Sequence, residues 1–387
     1  MHSAVIIDAV RTPAGKNGGS LKDWHPAALG AHVLQALAVR NPIDLEAIDD
    51  VIFGCVMQVG SQALNVARNA VLTAGWPEAV PATTVDRQCG SSQQAIHFAA
   101  QGVMSGAYDA VVAGGVEIMS KVPLGASLVR ELGFPFPASM LDRYAATGLP
   151  HQGIGAEMIA DEWGFSRADL DAFGALSQQR AERATNEGRF DREIVAVPIE
   201  ADGGAEPMRV DEGIRPGTTA EKLSTLKPAF KEDGKLTAGN SSQIADGASA
   251  LLIMNEEKAK ALGLRPRARF HAFALAGTDP VTMLKGPIPA TRKILEKTGL
   301  SIGDIDLFEV NEAFSSVVLA WQKETGADMN RVNVNGGAIA LGHPLGASGS
   351  KLMATLLCEL ERTEGRYGLQ LMCEGGGLAN ATIIERI

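Results

Sequence analysis

The chain has 387 residues, of which 45% are hydrophobic and 21% are charged, and its formal net charge is −10. This composition is typical of a soluble globular protein with more than one domain-sized unit. The acidic balance disfavours a general nucleic-acid or anionic-membrane surface, no apolar run is long enough to cross a bilayer, and the N-terminus becomes charged too early for a signal peptide.

Strands alternate with helices in the first third of the chain. Apolar runs predict strands at residues 4–7 and 109–117, and helical periodicity predicts helices at residues 26–39 and 65–74. Residues 45–55 predict a short helix, a turn and a strand. This alternation indicates βαβ units around a mainly parallel, buried sheet.

The middle of the chain, from about residue 120 to 239, is denser in proline, glycine and charge. One helix is predicted there, from the N-cap residue Ser166 to about Asn186, with Asp169 in the capping-box position. The segment is interpreted as an insertion carried on a βα loop, where insertions commonly shape substrate access. Residues 248–254 return to the composition of a buried strand.

The last third repeats the pattern of the first. Residues 301–311 resemble residues 45–55, and residues 367–377 resemble the strand and glycines of residues 109–117. Residues 332–337 lead through glycines to a helix at 351–360, as residues 85–89 lead to their own helix. The sequence therefore predicts two similar α/β halves that pack face to face.

Cys89 stands between a β-branched run and a helical pattern, so we expect it at a helix start. The helix dipole and free backbone N–H groups should lower the pKa of its thiol. For a lone cysteine the simpler interpretation is a small buried thiol. The four cysteines form no Cys-x-x-Cys pair and no zinc-finger spacing, which predicts no metal site and a reducing, cytoplasmic location.

Turns at the carboxyl ends of strands should meet at a shared cleft. They would present Cys89, the Asn311–Phe314 turn, the Gly342–Pro344 turn with His343, and the turn of Cys373. Each signal is weak alone, since a histidine before proline is often structural and a cysteine at a strand end often only packs.

The whole chain from Asp8 onward resembles the thiolase family, the acetyl-CoA acetyl- and acyltransferases. The motifs that carry the resemblance are Asp86-Arg87-Gln88-Cys89-Gly90-Ser91-Ser92, Gly239-Asn240-Ser241-Ser242-Gln243, Asn311-Glu312-Ala313-Phe314, residues 335–344, and Cys373 with three glycines. The resemblance implies an α/β fold with a duplicated five-layer αβαβα core and an inserted loop domain. The expected boundaries are 1–118 with 244–267 for the first half, 119–243 for the insertion and 268–387 for the second half.

The resemblance also implies catalytic roles. Cys89 is the expected acyl nucleophile, His343 the base that takes its proton, and Cys373 the second acid/base. His343 and a water held by Asn311 are the expected oxyanion donors for an enolate. The N–H groups of Cys89 and Gly375 are the expected donors for the acyl oxygen. Coenzyme A and acetyl-CoA are substrates, with no permanently bound cofactor.

Contacts with coenzyme A follow from position in the family pattern. Ser242 and His151 match residues near the pantetheine arm, and Arg215 matches a basic residue near the nucleotide end. Ser242 can also be read as a turn or cap residue and Arg215 as a solvated charge. No Gly-x-Gly-x-x-Gly follows a strand, which disfavours NAD binding. The expected partners are acyl-CoA substrates and a second or further copies of the chain, as a homodimer or homotetramer.

Two departures bear on the acyl group. Many acetoacetyl-CoA thiolases have methionine where this chain has Gln152, and many end Gly-Gly-Gly-Gln-Gly where it has residues 375–379. The Cys373-Glu374-Gly375-Gly376-Gly377 form and the ending at residues 382–387 resemble bacterial catabolic thiolases, including those similar to steroid-degradation enzymes. The alternatives are a biosynthetic acetoacetyl-CoA thiolase, a decarboxylating condensing enzyme and a non-catalytic acyl-CoA-binding relative.

Overall fold

The computed structural model of the protein describes residues 2–201 and 204–387. The strands in chain order are β1 (Ala4–Arg11), β2 (Gly15–Lys16), β3 (Asp50–Gly54), β4 (Ala82–Val85), β5 (Ala110–Ile118), β6 (Val197–Ala201), β7 (Gly204–Met208), β8 (Ala245–Asn255), β9 (Ala268–Gly277), β10 (Leu307–Val310), β11 (Tyr367–Glu374) and β12 (Leu378–Arg386). The helices are α1 (Pro26–Arg40), α2 (Val66–Thr73), α3 (Ser91–Ser105), α4 (Ala138–Arg143), α5 (Gln152–Glu162), α6 (Arg167–Asn186), α7 (Ala220–Ser224), α8 (Glu256–Ala261), α9 (Pro287–Thr298), α10 (Ser315–Thr325), α11 (Ala338–Leu341) and α12 (Leu345–Thr363).

Ten of these strands form one continuous mixed sheet, in the order β10-β11-β12-β9-β1-β8-β5-β3-β4, with β2 beside β8. In the first half β3 is parallel to β4 and β5, and β8 is antiparallel to β5. The second half repeats this, since β10 is parallel to β11 and β12 is antiparallel to it. The halves join where β1 pairs antiparallel with β9. The predicted duplication is confirmed.

The helices form three layers that alternate with the two halves of the sheet. α1 and α2 cover the first half through Leu34 and Val66, and α9 and α10 cover the second through Ile294 and Trp321. α3 and α12 lie in the middle, where their side chains share one apolar cluster with strands of both halves. This is the predicted five-layer αβαβα core, and it brings the two central helix starts together.

The segment between β5 and β8 contains α4 to α7 and the β6–β7 hairpin. The predicted helix of this segment is confirmed as α6, with Ser166 and Asp169 in a reciprocal capping box. The capping box satisfies N–H groups that would otherwise be unpaired at the helix start. In the described part of the chain, no helix combines the length and apolar composition needed to cross a membrane.

Close glycine contacts hold the start of α12 against the sheet. A β-carbon at Gly54 would lie 2.6 Å from the carbonyl oxygen of Gly346, and one at Gly346 would lie 2.7 Å from the Cα of Cys55. Side chains at these positions would push the helix away, so glycine permits the approach. His343, which comes just before α12, is positioned by this packing.

Candidate active site

Four chain segments bring Cys89, Asn311, His343 and Cys373 into one buried region. Cys89 follows β4 and Asn311 follows β10. His343 precedes α12, and Cys373 lies near the end of β11. Each of the four residues exposes 4% of its surface or less. All four side chains are therefore largely removed from water, and Leu345, two residues after His343, shares an apolar cluster with Cys89 and Met372.

The turn at Cys89 is fixed by local hydrogen bonds. Gln88 has a φ of 49°, a left-handed conformation that turns the chain sharply between strand and helix. The N–H of Arg87 donates to Oγ of Ser91 at 2.9 Å, and the Ser91 hydroxyl donates to the carbonyl of Gln88 at 2.6 Å. Cys89 lies just before Gly90, the N-cap residue of α3, rather than in the helix itself.

The pKa of Cys89 differs from the sequence expectation. Backbone N–H groups of Gly375 and of Cys89 itself favour the thiolate, as expected for this position. Burial, together with the nearby Cys373 and Glu374, outweighs them and raises the pKa of Cys89 above that of a free thiol. The expectation of a lowered pKa was wrong, so the resting residue is a protonated thiol that needs a base.

Ser348 determines which nitrogen of His343 is free. The Ser348 hydroxyl donates to the carbonyl of Pro344 at 2.8 Å. Its oxygen lies 2.6 Å from Nδ1 of His343, so the hydrogen-bond network assigns the proton to Nδ1. Nε2 then carries a lone pair, and it has no partner among the described residues. This is the tautomer that a general base requires.

Burial, aided by a nearby buried cation, keeps His343 neutral. Burial and the nearby charge of Lys351 lower the pKa of His343 to about 3. The Lys351 ammonium donates to the carbonyls of Leu341 and Gly342 at 2.8 and 3.0 Å, and burial lowers its own pKa to about 8. The imidazole is therefore uncharged near neutral pH and available to accept a proton.

Cys373 and Asn311 form a contact in the second half. The Asn311 amide Nδ2 lies 3.6 Å from Sγ of Cys373, which favours the thiolate. Burial and Glu374 oppose this and raise the pKa of Cys373 to about 12.

Asn333 fixes the end of β10, which Asn311 follows, through two 2.8 Å hydrogen bonds with the backbone of Val310. Oδ1 of Asn311 lacks a partner among the described residues and is available for a water or substrate.

Two buried carboxylates for which the sequence predicted no role hold the loops around the site. Glu117 accepts from the N–H groups of Val56, Met57 and Gly346 at 2.8, 3.1 and 2.9 Å, which joins β5 to the start of α12. Glu312 accepts from a hydroxyl, an amide and a backbone N–H of three other segments. The available signal was an acidic residue at or near the carboxyl end of a buried strand, since Glu117 lies within β5 and Glu312 two residues after β10.

Two of the three expected coenzyme A contacts lie near this region. The N–H of Ser242 donates to the carbonyl of Ala313 at 2.9 Å, next to the turn that carries Asn311. The exposed His151 ring stacks on Phe230 with centroids 5.9 Å apart. Phe230 in turn packs edge-on against Phe314 at 5.5 Å. The turn of residues 311–314 is thus linked to Ser242 by a backbone hydrogen bond and to His151 through Phe230.

Arg215 lies farther along the surface. Its backbone N–H donates to Oε1 of Gln178 in α6, and its side chain is exposed. Among the residues that the structure describes, no hydrogen bond or ion pair connects its guanidinium with Ser242 or His151.

Two glutamine side chains border Gly375. A β-carbon at Gly375 would lie 3.0 Å from Nε2 of Gln152 and 3.3 Å from Oε1 of Gln88. Gln152, the departure noted in the sequence, therefore lies beside the N–H that favours the Cys89 thiolate. Within residues 2–201 and 204–387, no cluster of three or more His, Cys, Asp or Glu side chains is arranged to hold a metal ion.

Comparison with protein families gives two matches that together cover nearly the whole chain. Residues 4–257 match the family model described as "Thiolase, N-terminal domain". Residues 264–386 match "Thiolase, C-terminal domain".

Similar proteins extend over the full chain. It is 53% identical over 393 residues to the steroid 3-ketoacyl-CoA thiolase FadA6 of Mycobacterium tuberculosis, covering 100% of this chain and 95% of that protein. It is 45% identical to the 3-ketoacyl-CoA thiolase of Citrobacter koseri, with 100% of both chains covered. The crystal structure of the Bacillus anthracis acetyl-CoA acetyltransferase is similar with a TM-score of 0.92 and 40% identity, covering 100% of this chain and 99% of that chain.

Proposed function

Because the chain belongs to the thiolase family, we propose that it performs the thiolase reaction through Cys89, His343, Cys373 and Asn311. The enzyme is an acyltransferase that cleaves 3-oxoacyl-CoA with coenzyme A to acetyl-CoA and a shortened acyl-CoA, or runs the reverse Claisen condensation. The observation that carries the residue assignment is the pair of neighbouring buried thiols, together with a buried, neutral histidine whose Nε2 has no partner among the described residues.

The first half-reaction forms an acyl-enzyme. Nε2 of His343 takes the thiol proton as Sγ of Cys89 attacks the 3-oxo carbon. The developing oxyanion is held by the N–H groups of Cys89 and Gly375, which already favour negative charge on the sulfur. The bond between C2 and C3 breaks, and its electron pair remains on acetyl-CoA as an enolate.

Cys373 completes the carbon chemistry. Its thiol protonates C2 of the enolate, whose oxygen is held by protonated His343 and by a water on Asn311. Coenzyme A then gives its thiol proton to the Cys373 thiolate and attacks the acyl carbon. The Cys89 sulfur leaves and recovers its proton from His343. The Cys373 proton ends on C2 of acetyl-CoA and is replaced by the thiol proton of coenzyme A, whereas the Cys89 proton returns through His343. Every enzyme group thus recovers its starting protonation state, and these steps involve no permanently bound cofactor.

The second thiol separates this proposal from a decarboxylating condensing enzyme. Such enzymes use one cysteine with two histidines, or with histidine and asparagine. Cys373 is fully buried and lies within 3.6 Å of the Asn311 amide. A non-catalytic relative would not need two thiols, a free imidazole nitrogen and convergent N–H groups together. The catabolic direction is supported by the names of the 53% and 45% identical relatives.

We propose that the acyl group is longer or ring-derived, because the similar FadA6 is named a steroid thiolase. Thiolysis kinetics should test this across 3-oxoacyl-CoA substrates from acetoacetyl-CoA to bulky ring-derived thioesters. We expect kcat/KM to rise with acyl size by about 10-fold or more, which corresponds to one or two buried methylenes. A maximum at acetoacetyl-CoA would favour the biosynthetic alternative.

Ser348→Ala should reduce turnover by about 10- to 100-fold, the effect typical of losing the group that orients a functional histidine. The variant removes the acceptor that keeps the proton on Nδ1 of His343. We expect the loss in kcat with little change in KM for coenzyme A in thiolysis assays. Ser350→Ala, at another buried serine of α12, is the matched control. Equal losses in both variants would contradict the assignment.

The remaining expectations stay proposals. Ser242, His151 and Arg215 contact coenzyme A, and the domain boundaries fall after residues 118, 243 and 267.

A homodimer or homotetramer is supported by the free edge of β4 and by exposed apolar side chains such as Leu132 and Phe134. Light scattering would test it, and a stable monomer would refute it. A cytoplasmic location is supported by four buried cysteines without a disulfide.

A further inference from the structure

Glu374 is a fully buried carboxyl group that follows Cys373 in the chain and packs against Gly90, the neighbour of Cys89, and the mechanism above does not use it. It directly follows Cys373 at the end of β11, and neither of its oxygens has a hydrogen-bond partner among the described residues. Buried carboxylates are normally paired, because an unpaired buried charge is costly. A group in this state next to reactive residues is a candidate for a functional role.

The carboxyl group of Glu374 packs against Gly90, the residue that follows Cys89. A β-carbon at Gly90 would collide with Oε1 of Glu374 and would lie 2.8 Å from Oδ1 of Asn380. The carboxyl group therefore occupies the space that a side chain beside Cys89 would need. It raises the pKa of both thiols through its negative charge.

We propose that Glu374 is a positioning residue that controls when Cys89 and Cys373 ionise. As a carboxylate it opposes both thiolates, and as a neutral acid it permits them. This proposal rests on Cys89 and Cys373 being the working thiols. The negative charge of Glu374 would then disfavour thiolate formation at a site whose backbone N–H groups otherwise favour it.

Charged and polar groups from the neighbouring elements act on the ionisation of Glu374. Arg87 and Asp86 lie on the turn before α3 together with Cys89, and Arg87 favours the carboxylate whereas Asp86 opposes it. From β12 comes the backbone N–H of Asn380, which also favours the charge, and Cys373 adjoins on the same strand. Burial dominates and raises the pKa of Glu374 to about 8. The carboxyl group therefore changes charge just above neutral pH.

The interaction is mutual, so the ionisation of the thiols and of Glu374 is coupled. Below about pH 7 Glu374 is neutral and does not affect the thiols. As the pH rises through 8, its charge appears and opposes further thiolate formation. The rate of Cys89 alkylation should then rise with pH, flatten near pH 8 and rise again.

The test is alkylation of the purified full chain with iodoacetamide, without substrate, followed by mass spectrometry of the Cys89 and Cys373 peptides. Glu374→Gln keeps the shape but removes the charge. Its Cys89 alkylation rate should match that of the unmodified protein at about pH 6.5 and exceed it by about 10-fold at about pH 9, the effect of one pKa unit on a thiolate. Glu374→Asp should retain the flattening. Glu385→Gln, on the same sheet but remote, should follow the unmodified protein.

A ratio of rates that stays constant with pH would indicate a structural effect only and would overturn the proposal. If the Gln variant does not fold, the unmodified protein decides the question, since a single-proton curve for Cys89 without flattening also overturns it. The readout is independent of acyl transfer. A failure of the thiolase mechanism would instead appear as an unacylated Cys89 in the presence of acetyl-CoA.

Discussion

Cys89→Ala should abolish covalent acylation and reduce thiolysis by about 10⁴-fold or more, the loss typical of removing a catalytic nucleophile. Incubation of the unmodified protein with acetyl-CoA, followed by acid quenching, should add one acetyl mass to the Cys89 peptide. The reason is that a thioester exchanges its acyl group readily with a thiolate of similar leaving ability. The alanine variant should show no acetyl mass on any peptide.

The matched control is Cys358→Ala. Cys358 is also buried, and it lies in the body of α12, away from the site. Its sulfur is 3.4 Å from Nη2 of Arg267. This variant should acylate normally, since any change would come only from packing. An acetyl group on Cys373 or Cys358 in the unmodified protein, or turnover by Cys89→Ala, would show that the nucleophile is assigned wrongly.

The position of Cys89 could be predicted because its signals are local. A β-branched run, then small residues, then apolar residues at helical spacing predict strand, turn and helix from adjacent residues. The positive φ of Gln88 and the exact N-cap at Gly90 were not visible in the pattern. They depend on hydrogen bonds within the turn, notably those of Ser91.

The ionisation of Cys89 could not be predicted from its neighbours in sequence. The helix dipole and the N–H groups are local, and they act in the expected direction. Burial is the main cause that reverses the result, and it is created by packing Cys89 against Met57, Leu345 and Met372 from both halves, which no single segment contains. Cys373 and Glu374, which raise the pKa further, come from the far end of the chain.

The supporting residues show the same limit. Ser348, Glu117 and Glu312 bond mainly to groups of other segments or to backbone atoms. Such partners have no sequence pattern of their own, because any residue can supply an N–H or a carbonyl. The duplicated halves were predictable since both repeat the same order of strand, glycine turn and helix. The hydrogen bonds between the halves were not.

Cys373→Ser should separate acyl transfer from carbon–carbon chemistry. A serine hydroxyl can still accept from the Asn311 amide, which lies 3.6 Å from the sulfur, so the geometry should be kept. Its proton is held far more tightly than that of a thiol, even one whose pKa is raised to about 12. We therefore expect acetyl-CoA to acylate Cys89 at a rate within about 10-fold of normal, while thiolysis falls by about 10³-fold or more.

The decisive measurement is exchange of the acetyl-CoA methyl protons with D₂O on the acylated enzyme, which requires only the base at Cys373. Exchange should be lost in Cys373→Ser and retained in Cys55→Ser, where another buried thiol beside Glu117 becomes a hydroxyl. Loss of acylation together with exchange would mean that Cys373 supports the nucleophile rather than the carbon acid. Retained exchange would transfer the role of base to His343, whose Nε2 has no hydrogen-bond partner among the described residues and can accept a proton.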